Sequence, residues 1–212
     1  MTGVTTVAIA NLKPGTSKTT CAVFLCAALH EMGLNPLLVD ADRGASARRW
    51  ADVAGGFPWT VVGMDVRTIY QQLTGMARHA QYGAIVVDCP QLEDHAAISK
   101  PALRFADVWL IPSAPAGIEL DRTTYVRDVL DEVDSIRDVP GRRLALLTRC
   151  NRRKRTKTGP DQTQAEILTE QGYTVLDEQV HHSDTLYRQS FGTVPVLDGT
   201  PFLAIAGKLV AA

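Results

Sequence analysis

Three groups of side chains suited to holding a polyphosphate and its metal occur in order along this chain. The first is the run Asn11-Leu12-Lys13-Pro14-Gly15-Thr16-Ser17-Lys18-Thr19-Thr20. It follows an apolar stretch, Thr5 to Ala10, that reads as a strand, and it opens an apolar segment that reads as a helix from about Thr19. A strand, a tight loop ending in Lys-Thr and a helix form a phosphate cradle, because the helix start offers free N–H groups and the positive end of its dipole. Residues Lys13 to Thr20 line that cradle. Lys18 is placed as a point charge on the β and γ phosphates, and the Thr19 hydroxyl is placed to bind Mg²⁺. Against the pattern G-x-x-x-x-G-K-[ST], Leu12 and Ser17 stand where the two glycines belong, and Pro14 removes one backbone donor. Taken alone, the loop also fits an ordinary strand-to-helix turn.

The second and third groups are acids at strand ends. Leu37-Leu38-Val39 runs into Asp40-Ala41-Asp42, and Ala84-Ile85-Val86-Val87 runs into Asp88-Cys89-Pro90. Each acid alone also fits a turn or capping residue. Parallel strands, however, bring their carboxyl ends to one edge, where α/β folds bind ligands. The Lys-Thr loop, Asp40, Asp42 and Asp88 therefore converge on one crevice, where Thr19 with Asp40 and Asp88 forms the candidate metal site. The elements that position them alternate. Helices are expected over 21–32, 46–54 (capped by Ser46), 66–79, 95–105, 119–136, 163–171, 183–190 and 201–210. Strands are expected over 59–64, 108–111, 144–147 and 173–176, besides those above. This β-α-β-α order predicts one α/β domain, residues 1–212, with a mostly parallel sheet covered by helices on both faces.

The ordered set resembles the ParA/MinD group of deviant P-loop ATPases, and most closely the small ParA partition proteins without an N-terminal DNA-reading domain. Their loop, K-G-G-x-G-K-T-T, is matched by Lys13 to Thr20, with Lys13 in the place of the signature lysine. Their Asp-x-Asp motif is matched by Asp40-Ala41-Asp42, although Arg43-Gly44 replaces the usual Pro-Gln. Their Asp-x-Pro motif is matched by Asp88-Cys89-Pro90, and Leu110-Ile111-Pro112-Ser113 looks like their post-strand Pro segment. The resemblance implies a P-loop NTPase of the deviant Walker A type that hydrolyses ATP with Mg²⁺. It implies that Asp42 orients the attacking water and that Lys13 reaches across an ATP-dependent homodimer to the other subunit's nucleotide. Arg149 is placed near the adenine. Non-specific DNA and a ParB-like centromere-binding protein are the implied partners, with plasmid or chromosome segregation as the role.

Twenty-two lysines and arginines against 23 acids in 212 residues leave no global field that marks a nucleic-acid binder. DNA contact must come from a local patch. Arg152, Arg153, Lys154, Arg155 and Lys157 are the candidates, flanked by Arg149 and joined by Arg188. The acids Asp121, Asp128, Asp131, Glu132, Asp134 and Asp138 read as a solvated helix face. His181-His182 reads as a surface turn rather than a metal site. Cys21, Cys26, Cys89 and Cys150 show no C-x-x-C pairing and read as core residues. No stretch has signal or transmembrane character, so a cytoplasmic, nucleoid-associated protein without membrane contact is expected. Three other readings stay open: a MinD-like membrane cycler, a small-molecule ligase of the dethiobiotin-synthetase type, and a non-hydrolysing nucleotide-bound scaffold.

Overall fold

A computed structural model describes residues 3–78, 81–115, 117–151, 160–183, 186–187 and 190–210. The strands are β1 (Thr5–Ile9), β2 (Pro36–Asp40), β3 (Thr60–Gly63), β4 (Ala84–Asp88), β5 (Val108–Ser113), β6 (Arg142–Cys150) and β7 (Thr174–His181). They form one sheet in the order β3-β2-β4-β1-β5-β6-β7, and every neighbouring pair is parallel. β1, β2 and β4 sit inside the sheet and are covered on both faces, which is why they read as unbroken apolar runs rather than alternating ones.

The helices are α1 (Lys18–Glu31), α2 (Ser46–Val53), α3 (Ile69–Arg78), α4 (Leu92–Phe105), α5 (Gly117–Asp134), α6 (Pro160–Glu170) and α7 (Phe202–Val210). Side chains of alternate strand residues divide the core in two. Val7 and Ile9 pack with α1, α2 and α7, while Ala8 and Ala10 face the layer that holds α3 to α6. α1 is buried without a break from Cys21 to Leu29 because it lies between the sheet and α7. α7 spends Phe202, Ile205, Ala206 and Leu209 on that packing, and its Lys208 pairs with Asp177 and Glu178. No helix among the described residues is long and apolar enough to cross a membrane.

Several boundaries differ from the sequence expectation. α4 begins at Leu92, not 95, and a kink at His95 (φ −129°, ψ 33°) joins two helical pieces. The backbone N–H groups of Leu92 and Glu93 donate to the carbonyls of Asn11 and Leu12, so the loop after β1 supplies the start of α4. β6 and β7 outrun their apolar cores and continue to Cys150 and His181, with register shifts between them. The acids of α5 are only partly a solvated face: Arg143 of β6 binds Asp131 (2.6 Å) and Asp134 (2.5 Å). Of the expected 183–190 helix, only 183, 186, 187 and 190 lie among the described residues.

Gly141 marks the tightest backbone approach in the outer layer. A Cβ there would lie 2.5 Å from the indole of Trp109, which is fully buried and donates its Nε1–H to the Leu103 carbonyl. The indole is also held beneath Arg137 and Arg143. A side chain so fixed yields only at a cost of about 1–3 kcal/mol. Gly141→Ala is therefore expected to lower the thermal midpoint by several degrees in differential scanning calorimetry. An unchanged midpoint would show that Trp109 is free to move.

Candidate functional site

The parallel register builds the site. Ile9, Asp88 and Asp40 stand in one row across β1, β4 and β2, at the carboxyl edge of the sheet. The loop from Asn11 to Ser17 leaves that row at β1 and leads into α1. Asn11 fixes its start, donating from Nδ2 to the Pro112 carbonyl and accepting the Leu12 N–H. Gly15 (φ 75°) and Ser17 (φ 71°) are both left-handed. Glycine takes this conformation freely, whereas a residue with a Cβ pays about 1–2 kcal/mol. Ser17 thus adopts the backbone that the missing glycine would supply, and it stands as the N-cap of α1 without a side-chain cap bond. Lys18 is 7% exposed, and its ammonium donates to the Lys13 carbonyl at 3.0 Å, folded over the loop it would share with phosphates.

Asp88 is 1% exposed, and neither of its oxygens has a fully formed hydrogen bond among the described residues, although the Thr19 hydroxyl is close enough to act on it. Burial pushes its pKa up to about 7. The Thr19 hydroxyl and the Lys18 charge pull it down, while Asp40 and Asp42 push it up. An orphaned buried carboxylate costs free energy unless something met only in function compensates it. Asp40, equally buried, is differently employed. Its oxygens accept the N–H groups of Asp42 (3.2 Å) and Arg48 (3.0 Å). Burial raises its pKa, and those two backbone bonds oppose the rise. Asp40 therefore caps α2, the task that the sequence assigns to Ser46; Ser46 is instead the first helical residue after a left-handed Ala45. Two carboxylates and the Thr19 hydroxyl fit a Mg²⁺ ion that keeps several waters, not an all-protein cage. Among the described residues no group of three or more His, Cys, Asp or Glu side chains is placed to hold a metal.

Asp42 lies at the rim and turns its Oδ1 to the Gly44 N–H at 2.9 Å. Lys13, about one-third exposed, forms an ion pair with Glu93 at the start of α4. Glu93 has no motif of its own; only the hydrogen bonds between the loop and α4 bring it there. Arg149, in the left-handed region (φ 56°) near the end of β6, places its guanidinium 5.6 Å from the Tyr187 ring centroid. Tyr187 stacks on His182 at 5.9 Å and reaches the cradle. Its phenol is pushed up to about 12 mainly by burial, and Ser17 is among the groups that pull it back. The hydroxyls of Ser17 and Tyr187 are both buried without a fully formed hydrogen bond. Tyr187 has no local sequence signal; its neighbour Arg188 and the basic residues Arg152, Arg153, Lys154, Arg155 and Lys157 lie outside the described residues.

The thiols of Cys21, Cys26 and Cys89 are fully buried, and burial pushes their pKa values up, so these cysteines pack rather than react.

Comparisons with known proteins agree with this geometry. Residues 7–191 match the family described as the CobQ/CobB/MinD/ParA nucleotide binding domain. The maintenance of carboxysome distribution protein A of Gloeobacter kilaueensis is 36% identical over 116 residues, 54% of this chain and about half (51%) of that protein's length. Among solved structures, apo McdA of Cyanothece superposes with a TM-score of 0.75 at 15% identity, covering 98% of both chains. MinD of Pyrococcus horikoshii, complexed with Mg-ADP, gives 0.72 at 18% identity, covering 98% of this chain and 94% of that one. At such identities the superpositions speak for the fold, a parallel α/β P-loop architecture. With a family match spanning most of its length, the chain belongs to the CobQ/CobB/MinD/ParA nucleotide-binding family.

Proposed function

We propose that this chain is a Mg²⁺-dependent ATPase of the ParA/MinD kind that positions a cargo by cycling between ATP-bound dimer and free monomer. The observation that carries the reading is the buried Asp88 carboxylate, without a fully formed hydrogen bond and set beside Lys18 and Thr19. In the proposed cycle, the loop N–H groups and Lys18 hold the β and γ phosphates. Thr19 takes the Mg²⁺, with Asp40 and Asp88 arranging its waters. The metal supplies charge neutralisation on the transferred phosphoryl. Asp42 orients the attacking water, and Arg149 with Tyr187 borders the base. Lys13 leaves Glu93 and crosses to the partner's nucleotide, where its charge acts as an arginine finger would.

The dimer brings together two copies of the basic segment around Arg152–Lys157 and Arg188, which multiplies a weak contact with the DNA backbone. A ParB-like partner stimulates turnover and resets the cycle. Plasmid, chromosome or protein-compartment cargo all fit this scheme. The carboxysome protein from Gloeobacter kilaueensis supports positioning of a cargo as the general role. The paired Lys208 and the buried face of α7 favour a nucleoid track over a membrane one.

The deciding experiment is size-exclusion chromatography with ADP, ATP and a slowly hydrolysed ATP analogue. Mass is expected to double with the analogue and not with ADP; a constant mass would refute the cycle. Lys13→Ala is expected to keep nucleotide binding and lose the dimer. Glu93→Gln is expected to tighten the dimerisation constant, but only up to about thirtyfold, because each dimer breaks two such part-exposed ion pairs that contribute about 0–1 kcal/mol apiece. A dimer weakened by Glu93→Gln would show that Glu93 serves the interface rather than holding Lys13 back.

A further inference from the structure

Away from the nucleotide edge, α3, α4 and the end of α5 enclose a groove that the proposed cycle does not use. It consists of two cavities of about 280 and about 190 Å³ that share Tyr70, Arg104 and Ile136. The floor is apolar: Pro101, the buried Val133, the Tyr70 ring and Ile136, which is 59% exposed despite its size. The rim is cationic. Arg67, Lys100 and Arg104 face one acid, Glu132, in the larger cavity, where Glu132 is already bound to Lys100 at 2.5 Å. The smaller cavity adds Arg137 and Asp138, so cations still outnumber acids along the groove. The Arg104 guanidinium lies over the Tyr70 ring, 4.7 Å from its centroid, a contact that helps hold it in place. Neither Arg67 nor Arg104 has a carboxylate partner among the described residues.

We infer that this groove docks an acidic segment of a partner protein, one that sets an apolar or aromatic side chain on Val133 and Ile136 and carboxylates on Arg67 and Arg104. Charge complementarity selects the sign of the occupant, since the chain as a whole is close to neutral and this groove is not. The apolar floor selects the class. A nucleic-acid backbone offers phosphates but nothing to fill a pocket lined by Pro101, Val133 and Ile136, whereas a peptide offers both. The concave shape matches a protein hot spot, with an anchor in a pocket and a polar rim around it. The inference stands apart from the nucleotide cycle, because none of these side chains belongs to the cradle.

The test uses the full chain and a short fluorescent peptide in which glutamates alternate with leucines and one phenylalanine, read by anisotropy. Wild-type protein is expected to bind this peptide and not its lysine-for-glutamate counterpart. Arg67→Glu, Arg104→Glu and Ile136→Asp are each expected to weaken binding about tenfold. All three positions are exposed, so folding and basal ATP turnover are expected to stay as in wild type. Arg67→Gln and Arg104→Gln serve as milder versions should a reversal disturb the fold. Absence of peptide binding by wild type at about millimolar concentration overturns the inference. So does binding that survives both charge reversals. Labelled duplex DNA forms the second arm: if the reversals abolish DNA retention and leave the peptide untouched, the groove is a nucleic-acid surface and the inference falls.

Discussion

Replacing Lys18 by alanine is expected to remove nucleotide binding almost entirely. Its ammonium is buried at the start of α1 and already satisfies a loop carbonyl, so it is desolvated before any phosphate arrives. Truncating one partner of a buried, hydrogen-bonded charge pair costs about 2–5 kcal/mol, or about 30-fold to several thousand-fold in affinity. The helix dipole and the loop N–H groups remain in the variant, but contributions of about 0.3–1 kcal/mol from a helix terminus do not replace the lysine. Isothermal titration with ATP and Mg²⁺ measures the loss directly. A dissociation constant within about threefold of wild type would mean that the triphosphate binds elsewhere. The fold should persist, because Lys18 contributes no apolar packing to either core.

Asp88→Asn is expected to trade function for stability, with a pH dependence that identifies the cause. In the wild type, burial raises the folded-state pKa of Asp88 to about 7, above the unfolded value near 4. Between those two values the folded state holds the proton more tightly than the unfolded state does. This group therefore adds stability at low pH and removes it progressively as pH rises through about 7. Asparagine carries no charge to bury. At pH 8 the variant is expected to exceed wild type by about 1–3 kcal/mol, the amide's own need for partners taking back part of the gain. The advantage should shrink as pH falls toward 4. ATP and Mg²⁺ together should raise the melting temperature of wild type and leave the variant nearly unmoved. Thermal denaturation across that pH range, with and without Mg-ATP, checks both halves. A variant that is less stable at pH 8, or one still protected by Mg-ATP, would remove Asp88 from the metal's surroundings. The exchange of stability for activity is common where a site is held ready for a ligand.

The strand-end acids and the Lys-Thr loop were legible because parallel order and apolar runs are local signals. Once β1, β2 and β4 were placed side by side, the row of Ile9, Asp88 and Asp40 followed. What Asp40 does was not legible. Its two hydrogen bonds depend on where α2 starts, and the sequence offers Ser46 as the more familiar cap. Glu93 was missed because it stands 80 positions from Lys13 and at the mouth of a helix whose start the sequence places three residues late. The sequence marks Ser17 as standing where the loop pattern has a glycine, and the structure gives that position a positive φ. Arg149 was read as either loop cation or nucleotide neighbour. The extension of β6 turns it toward Tyr187, a contact that no spacing rule connects.

The bond from Asp40 to the Arg48 N–H has a consequence for how the molecule can be watched. Whatever pulls on the Asp40 carboxylate pulls on the first turn of α2, and α2 carries Trp50 one turn further along. That indole is wedged against Phe24 and Phe191 and anchored to the Thr193 carbonyl, so a small rotation of the helix alters its surroundings. Trp109, sealed in the opposite layer, and Trp59, packed against Phe57 on the same side as Trp50, supply the background emission. On the proposed metal site, the chain would thereby contain its own optical gauge, and the emission of Trp50 is expected to shift when the acid ten residues upstream is occupied.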